Sequence, residues 1–425
     1  MSIHPPKKIL IFSLAYYPRF VGGAEVAIKE ITDRLSPEDI EFHLITLRFD
    51  NELPVREKIG NVTVHRIGWA RPNPTMADLR KFPLRLNKLW FQFGAALKAL
   101  SLHRQHHFSA VWAMMAHSAG VPATLFNIFT GVPYVLTLQE GDPPEAIERT
   151  MRPLWPLFSR AFRRAAVVQV ISSFLGKWAE RRSFHGPLEI IPNGVDVDLF
   201  AAERPALEGE EIRKRFGIKK SDMLLITTSR LVPKNAIDDC IRALSFLPKE
   251  CIFMVLGTGP EESALRALAV ELQLEDRVKF LGFVEHSAMP AYLRAADIFI
   301  RPSRSEGMGN SFIEAFAAGV PVIATQEGGI SDFLFDPIRN PDHPATGFAV
   351  DKNSPEQIAE AVRTIIAPEN RPLVRAVTKT ARTLALENYD WQSVTLRMRT
   401  NVFGKILRAA HHPSQEEGMD DRCCM

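Results

Sequence analysis

Cysteine is scarce, long apolar runs are missing, and neither sign of charge dominates. The 425 residues hold four cysteines, Cys240, Cys251, Cys423 and Cys424, in no spacing that suggests a disulfide framework or a zinc site. Cys240 and Cys251 lie in apolar runs and are expected to pack as small hydrophobes. The other two end the polar stretch "HHPSQEEGMDDRCCM", expected to be a disordered tail over 411–425. Arg422 stands where prenylation would need a cysteine. No segment approaches the ~18 apolar residues of a membrane-spanning helix. The first apolar run, in "KKILIFSLAYYP", lasts about six residues, too few for a secretory leader. A reducing cytoplasm is the expected compartment. Lys and Arg number 52 against 49 Asp and Glu, a net charge of +3, too mild to call for a nucleic-acid partner.

What is present is alternation. A chain of this length suggests two domains at roughly 100–200 residues each. In the first half, strands are expected over 8–14, 41–47, 62–67, 110–115, 134–138, 167–171 and 189–191, with helices over 24–35, 84–102 and 173–182. The pattern restarts with strands near 224–228, 252–256, 278–281, 298–301 and 322–324. Strands alternating with helices imply βαβ units and parallel sheets. The expected fold is therefore α/β, two doubly wound Rossmann-like domains facing across a cleft, with ligands beyond the carboxyl ends of the strands. At the restart, "IPNGVDVDLF" (191–200) carries an Asn-Gly turn signal, and the run up to Glu211 reads as a linker. The boundaries expected are 1–195 and 196–385, with a helix over 386–410 packing back on the first domain.

The stretch "RPSRSEGMGNSFIEAFAAGVPVIAT" (301–325) reads as strand, glycine-broken loop, helix and strand. Gly307 and Gly309 let a backbone approach a ligand closely, and the helix that follows presents unpaired N–H groups suited to phosphate. Glu306 and Glu314 flank that seat. Carboxylates repel phosphate but accept well from hydroxyls, so the ligand that fits is a diphosphate with hydroxyl-rich groups on both sides, a nucleotide-sugar. The spacing by itself equally allows an acidic loop and a solvated helix glutamate. In "SRLVPKNAIDD", Arg230 ends a strand and Lys234 precedes a helix, where two cations would hold a leaving diphosphate; taken alone this is also an ordinary basic surface loop. Gly22-Gly23, between first strand and first helix, is either a phosphate-approaching loop or a tight turn.

Taken together, "GGAE", "IPNGVDVDLF", "SRLVPK", "EGMGNSFIEAFAAGVPVIAT", "EGGISD" and "TGFAV" resemble the family-4 retaining glycosyltransferases of GT-B architecture, over nearly the whole chain. The resemblance weakens between about 70 and 160 and after 385. It implies that Arg230 and Lys234 neutralise the departing nucleoside diphosphate and that Glu306 bonds the donor sugar. The amides of Met308, Gly309 and Asn310 would cover sugar and diphosphate, Glu314 would hold the ribose, and Gly22 and Gly23 would approach the diphosphate from the opposite domain. It implies front-face attack with retention, no cofactor, and protein that mainly positions groups and stabilises charge.

The chain departs from the pattern at two places. Asn235 follows the lysine where glycine is frequent, a change expected to affect only the local turn. Gln139, followed by Glu140 and Asp142, replaces a frequent histidine; it can hydrogen-bond a sugar but cannot shuttle a proton. Gln139, Asp142 and His117 are the candidate acceptor-side residues, although His117 reads equally as a loop histidine without a role. "DVD" (196–198) imitates a metal-binding motif but fits the hinge, so no catalytic metal is expected. "VLGTGPEE" lacks the third glycine of a dinucleotide fingerprint, where Glu262 stands.

Residues 81–107 and 149–164 mix Lys and Arg with Leu, Trp and Phe at helical spacing. Such helices suit an anionic membrane surface, as a lipid-linked acceptor would require; the alternative is apolar core beneath a solvated basic face. The activity expected is transfer of a sugar from a nucleotide-sugar to a hydroxyl of a lipid-linked or surface glycan, at the inner face of the membrane. The alternatives are a sugar-nucleotide epimerase, a phosphorylase with a pyridoxal-phosphate lysine, and a catalytically inactive binding module of the same fold.

Overall fold

The computed structural model describes residues 5–19, 21–74, 78, 81–202 and 207–409; the tail expected over 411–425 lies outside them. Two sheets organise the chain. The first contains β1 (Lys7–Phe12), β2 (Ile40–Leu47), β3 (Arg56–Ile59), β4 (Val62–Ile67), β5 (Ala110–Met114), β6 (Tyr134–Leu138), β7 (Val167–Val170) and β8 (Leu188–Ile190), in the order β3-β4-β2-β1-β5-β6-β7-β8. Only β3 runs antiparallel to its neighbour. The second contains β9 (Met223–Thr228), β10 (Cys251–Leu256), β11 (Val278–Gly282), β12 (Ile298–Arg301), β13 (Val322–Ala324) and β14 (Phe348–Ala349), ordered β11-β10-β9-β12-β13-β14 and parallel throughout. Strands such as "AVWAM", "YVLTL" and "IFIR" are buried along their whole length, because helices cover both faces of a parallel sheet.

Strand order reverses between β1 and β5 in the first sheet and between β9 and β12 in the second. A crevice opens at the carboxyl ends of strands at such a switch point. Arg230 and Lys234 follow β9, and Glu306 follows β12, so the second domain's candidate residues leave the two strands that flank its crevice.

Two expectations need correction, and one pair of open readings is decided. Strand β3, with its charged sequence "REKI", carries no apolar alternation, and only the hairpin with β4 reveals it. The run read as a linker holds packed helices, Val197–Ala201 and Leu207–Arg215. Asp196 caps the first by accepting from the Leu199 amide at 2.9 Å, and Arg213 in the second donates to the Ala295 carbonyl at 2.9 Å. The basic stretch 149–164 turns Phe158, Ala161 and Phe162 inward, where Phe158 packs tilted and Phe162 edge-on against Trp178. Its apolar residues are core.

The helix Asn87–His106 behaves differently. It buries Phe91, Ala95, Ala99 and Leu102 but leaves Leu89, Trp90, Phe93 and Leu97 in solvent. At the chain's other end, helix Trp391–Arg397 and the turns after it put Trp391, Val394, Met398, Val402 and Phe403 into the same core as Ile9, Ile11, Ile28 and Ile31 of the first domain. Phe403 meets Trp112 edge-on at 5.2 Å, so the C-terminal segment is held to the first domain by aromatic packing.

Candidate active site

Strand β12 ends on Arg301, and the next ten residues build the site. Pro302 cannot continue the ladder, and Gly309 takes φ +85°, a conformation that disfavours side chains. Helix Asn310–Ala317 starts immediately afterwards. Gly307 is required by closeness: a Cβ there would stand 2.5 Å from the Glu140 carbonyl of the other domain.

Beneath this loop lies Arg301, which sequence reasoning did not single out. Its side chain is 7% exposed. It donates to Ser303 Oγ at 3.1 Å and Ser311 Oγ at 2.6 Å, pairs with Glu306, and sits over the Phe312 ring at 4.5 Å. The other Glu306 oxygen accepts from the Gly307 amide at 3.1 Å. Glu306 is thus a fixed, charge-balanced carboxylate. The only sequence signal was an arginine ending an otherwise apolar strand, which reads as a strand terminus.

Lys234 stands in a short turn, Pro233–Asn235. Its carbonyl accepts from the Arg304 amide at 2.7 Å. The Arg304 guanidinium grips Asp238 through two bonds and Asp239 through one, at 3.0, 2.8 and 2.8 Å. Donating hydrogen bonds to Asp238 raises the Arg304 pKa further, while burial raises that of Asp239. This cluster fastens the lysine turn to the Glu306 loop. Asn235 closes the turn by donating to the Arg230 carbonyl at 2.6 Å, and the left-handed backbone falls on Ala236. The Arg230 guanidinium is exposed and has no polar partner among the described residues.

The two domains meet at this point. Lys234 Nζ is 3.3 Å from Asp142, and Ser305 Oγ donates to the Gly141 carbonyl at 3.2 Å. A Cβ on Gly141 would lie 2.6 Å from Lys234 Nζ and 3.4 Å from Glu306 Oε1; the lysine, the glutamate and the first-domain loop converge on one spot. Nearby, Ser173 donates its amide to Asp332 at 2.6 Å and its hydroxyl to the same carboxylate.

On the first-domain side, Gln139 and Asn193 exchange amide hydrogen bonds at 3.0 and 3.2 Å. Asn193 also reaches Asn310 across the cleft at 3.4 Å, and its Nδ2 lies 3.9 Å from where a Gly23 Cβ would be. Asn193 belongs to the hinge motif, and its role as a bridge was legible only as a turn residue. The Gly22 amide does not face an open phosphate seat, because Glu25 accepts from it at 2.8 Å in a capping contact. Burial pushes the Glu25 pKa up. His117 Nδ1 lies 3.5 Å from buried Glu140, which also accepts from the amides of Ala116 and Gln139 at 2.6 and 2.9 Å. Met115, at φ +68°, turns the chain into that carboxylate, a costly conformation for a residue with a side chain.

Glu314 lies one turn inside the helix and is bound at 2.9 Å by His286 Nε2. That hydrogen bond raises the His286 pKa, and Phe200 packs edge-on to the imidazole at 5.3 Å. Met308 is buried, so its side chain is not available to a ligand.

Two family models match the chain, Glycosyltransferase Family 4 over residues 21–199 and Glycosyl transferases group 1 over 208–383. It is 31% identical over 419 residues to the GDP-mannose-dependent monoacylated alpha-(1-6)-phosphatidylinositol monomannoside mannosyltransferase of Corynebacterium glutamicum, covering 93% of this chain and 97% of the relative. The chain belongs to the family-4 GT-B glycosyltransferases. A second relative, the 2-deoxystreptamine glucosyltransferase of Streptomyces kanamyceticus, is 28% identical over 328 residues, 72% of this chain and 82% of its own length. Among solved structures, Anabaena HepE in complex with UDP-glucose superposes with a TM-score of 0.72 at 20% identity, covering 93% of this chain and 99% of that one. The sucrose-phosphate synthase of Thermosynechococcus elongatus gives 0.77 at 18%, covering 95% and 100%. These two share the GT-B fold with this glycosyltransferase.

Replacing Arg301 by Met would leave Glu306 as a nearly buried carboxylate without its cation. Loss of one partner of such a pair costs about 3–5 kcal/mol, which a urea titration followed by far-UV circular dichroism would register as a lower midpoint. An unchanged midpoint would show that the pair does not hold the loop.

Proposed function

We propose that this glycosyltransferase moves a hexose from a nucleoside-diphosphate donor to a hydroxyl of a lipid-linked glycan, with retention and without a catalytic metal. The observation that carries the reading is the convergence of Lys234 and Glu306 beside Gly141, at the start of a helix that offers free amides to a diphosphate. Support for the donor class comes from the relatives, whose names include a GDP-mannose-dependent enzyme and a protein bound to UDP-glucose.

In this reading the diphosphate rests on the amides of Gly309 and Asn310. Lys234 and Arg230 neutralise the charge that grows on the leaving phosphate as the glycosidic C–O bond breaks. The acceptor oxygen forms its bond to the anomeric carbon on the same face, and its proton passes to the departing phosphate oxygen. Glu306, held by Arg301, orients the sugar hydroxyls. Gln139, locked to Asn193, shapes the acceptor side and carries no proton. Lys234 must exchange Asp142 for the phosphate when the donor enters.

Helix Asn87–His106 supports a lipid-borne acceptor. Leu89, Trp90, Phe93 and Leu97 form an exposed row with Leu86 and Phe82 just before it. Lys81, Arg85, Lys88 and Lys98 flank the row, and no Asp or Glu occurs from 81 to 108. An apolar row edged mainly by cations, of which Lys81 is paired with Asp78 at 3.3 Å, matches an anionic bilayer surface. No helix among the described residues is long and apolar enough to cross a membrane.

Glu306→Ala and Lys234→Ala are each expected to lower kcat at least about a hundredfold, on the scale of losing one transition-state charge partner. Lys234→Ala should leave the thermal unfolding profile near wild type, whereas Glu306→Ala should also lower the unfolding midpoint, because it strands the buried Arg301 guanidinium. The test is transfer of radiolabelled hexose with NMR of the anomeric product, with and without EDTA. Wild-type turnover in both variants, an inverted product, or a metal-rescued loss with EDTA would each overturn the corresponding part. Donor binding without any transfer would favour a binding module.

His286 competes with ribose for Glu314. Because its pKa is raised in the folded protein, the ion pair is complete below the ordinary imidazole range and is lost as pH rises through the raised value. Donor KM should therefore fall as pH rises from the ordinary imidazole range through the raised value, and His286→Gln should flatten that slope. An identical slope in the variant would remove the competition.

Trp90→Ser with Phe93→Ser should abolish co-sedimentation with vesicles containing phosphatidylglycerol and leave turnover on a soluble acceptor analogue unchanged. Equal sedimentation of variant and wild type would sink the membrane face.

A further inference from the structure

A cluster of imidazoles lies outside the cleft and has no part in the transfer chemistry. His43 from β2, His65 from β4 and His106 from the end of helix Asn87–His106 meet beside Glu41. Glu41 is the second residue of β2, at the amino end of the sheet, whereas the donor site lies beyond carboxyl ends. The ligand atoms of Glu41, His43 and His106 all fall within 4.8 Å of one another. His43 Nε2 is 2.8 Å from Glu41 Oε1, and its Nδ1 is 3.1 Å from His65 Nε2. The His43 and His106 rings have centroids 4.2 Å apart. Lys8 Nζ, at 3.8 Å, faces the other Glu41 oxygen.

We propose that Glu41, His43 and His106 bind a divalent transition metal of the zinc class, with His65 orienting His43. Two imidazoles and a carboxylate are a donor set suited to borderline metals. A proton on His43 Nδ1, donated to His65 Nε2, frees the Nε2 lone pair for the ion; such outer partners commonly fix a ligating histidine. The metal takes the position between His43 Nε2 and Glu41. As it binds, His43 gives its Nε2 proton to water while His65 passes its Nε2 proton to His43 Nδ1 and takes one from water at its own Nδ1, so that both imidazoles stay neutral. Solvent reaches the site, since the Glu41 side chain is 36% exposed, and water completes the coordination. Bound there, the ion clamps the end of the exposed basic helix to strand β2. This inference does not depend on the donor chemistry.

The polar tail contains His411, His412, Cys423 and Cys424, a rival ligand source, so the test uses full-length protein with these changed to Ala and Ser. After stripping with EDTA, it is titrated with Zn2+ by calorimetry and with Co2+ by visible spectroscopy. The expected result is one equivalent of Zn2+, a tetrahedral Co2+ spectrum without thiolate charge transfer, and a Tm raised by roughly 5 °C at a hundredfold excess over Kd. His106→Ala, at a partly exposed helix end where folding is not at risk, should weaken Zn2+ at least about tenfold, and His65→Asn about tenfold through His43. Turnover of the stripped protein should match that of the loaded one. Absence of binding in the tail-blocked protein, or undiminished affinity in His106→Ala, would overturn the proposal and leave a neutral hydrogen-bonded chain from His65 through His43 to Glu41.

Discussion

A buried guanidinium under a glycine-broken loop sets the terms for the rest of this molecule. Removing a charge from water costs several kcal/mol, and Arg301 recovers it through Glu306, two serine hydroxyls and the face of Phe312. The pair is neutral as a unit. The electropositive feature left facing the cleft is therefore the start of helix Asn310–Ala317, with Lys234 and Arg230 beside it. A free glutamate there would have opposed the diphosphate; a glutamate locked by arginine presents oxygen acceptors to hydroxyls at a much smaller electrostatic penalty.

Polar contacts join the two domains across the cleft, while one apolar core cluster also runs through both. Lys234 with Asp142, Ser305 with Gly141, Ser173 with Asp332 and Asn193 with Asn310 are all hydrogen bonds or ion pairs. Contacts of this kind can exchange with water or ligand at little net cost, which suits a cleft that must admit a nucleotide and release its diphosphate. The aromatic packing of the C-terminal segment on the first domain is of the other kind. It buries Trp391 and Phe403 fully enough to remain in place while the polar contacts open.

Reading the chain in one dimension recovered most strands to within a residue or two, because parallel strands buried on both faces are short apolar runs that stand out from amphipathic helices. It missed β3, whose charged residues belong to an edge, and it took packed helices near Asp196 and Glu211 for a linker, because the first is only 5 residues long and the second is polar. It treated two basic-aromatic stretches alike. Only packing separated them: Phe158 and Phe162 face Trp178, while Trp90 and Phe93 face water.

The sequence by itself determined the two-domain α/β class, the family and the loop that holds Glu306 and Glu314, since these depend on local periodicity and on glycines at fixed spacing. Tertiary structure alone decided what each of those acids touches. Arg301 claims one and His286 the other, Glu25 caps the Gly22 amide, and Gln139 is bound to Asn193. These partners are brought together by strand order and by the approach of one domain to the other, and pairings made across such separations leave no periodic trace in the chain.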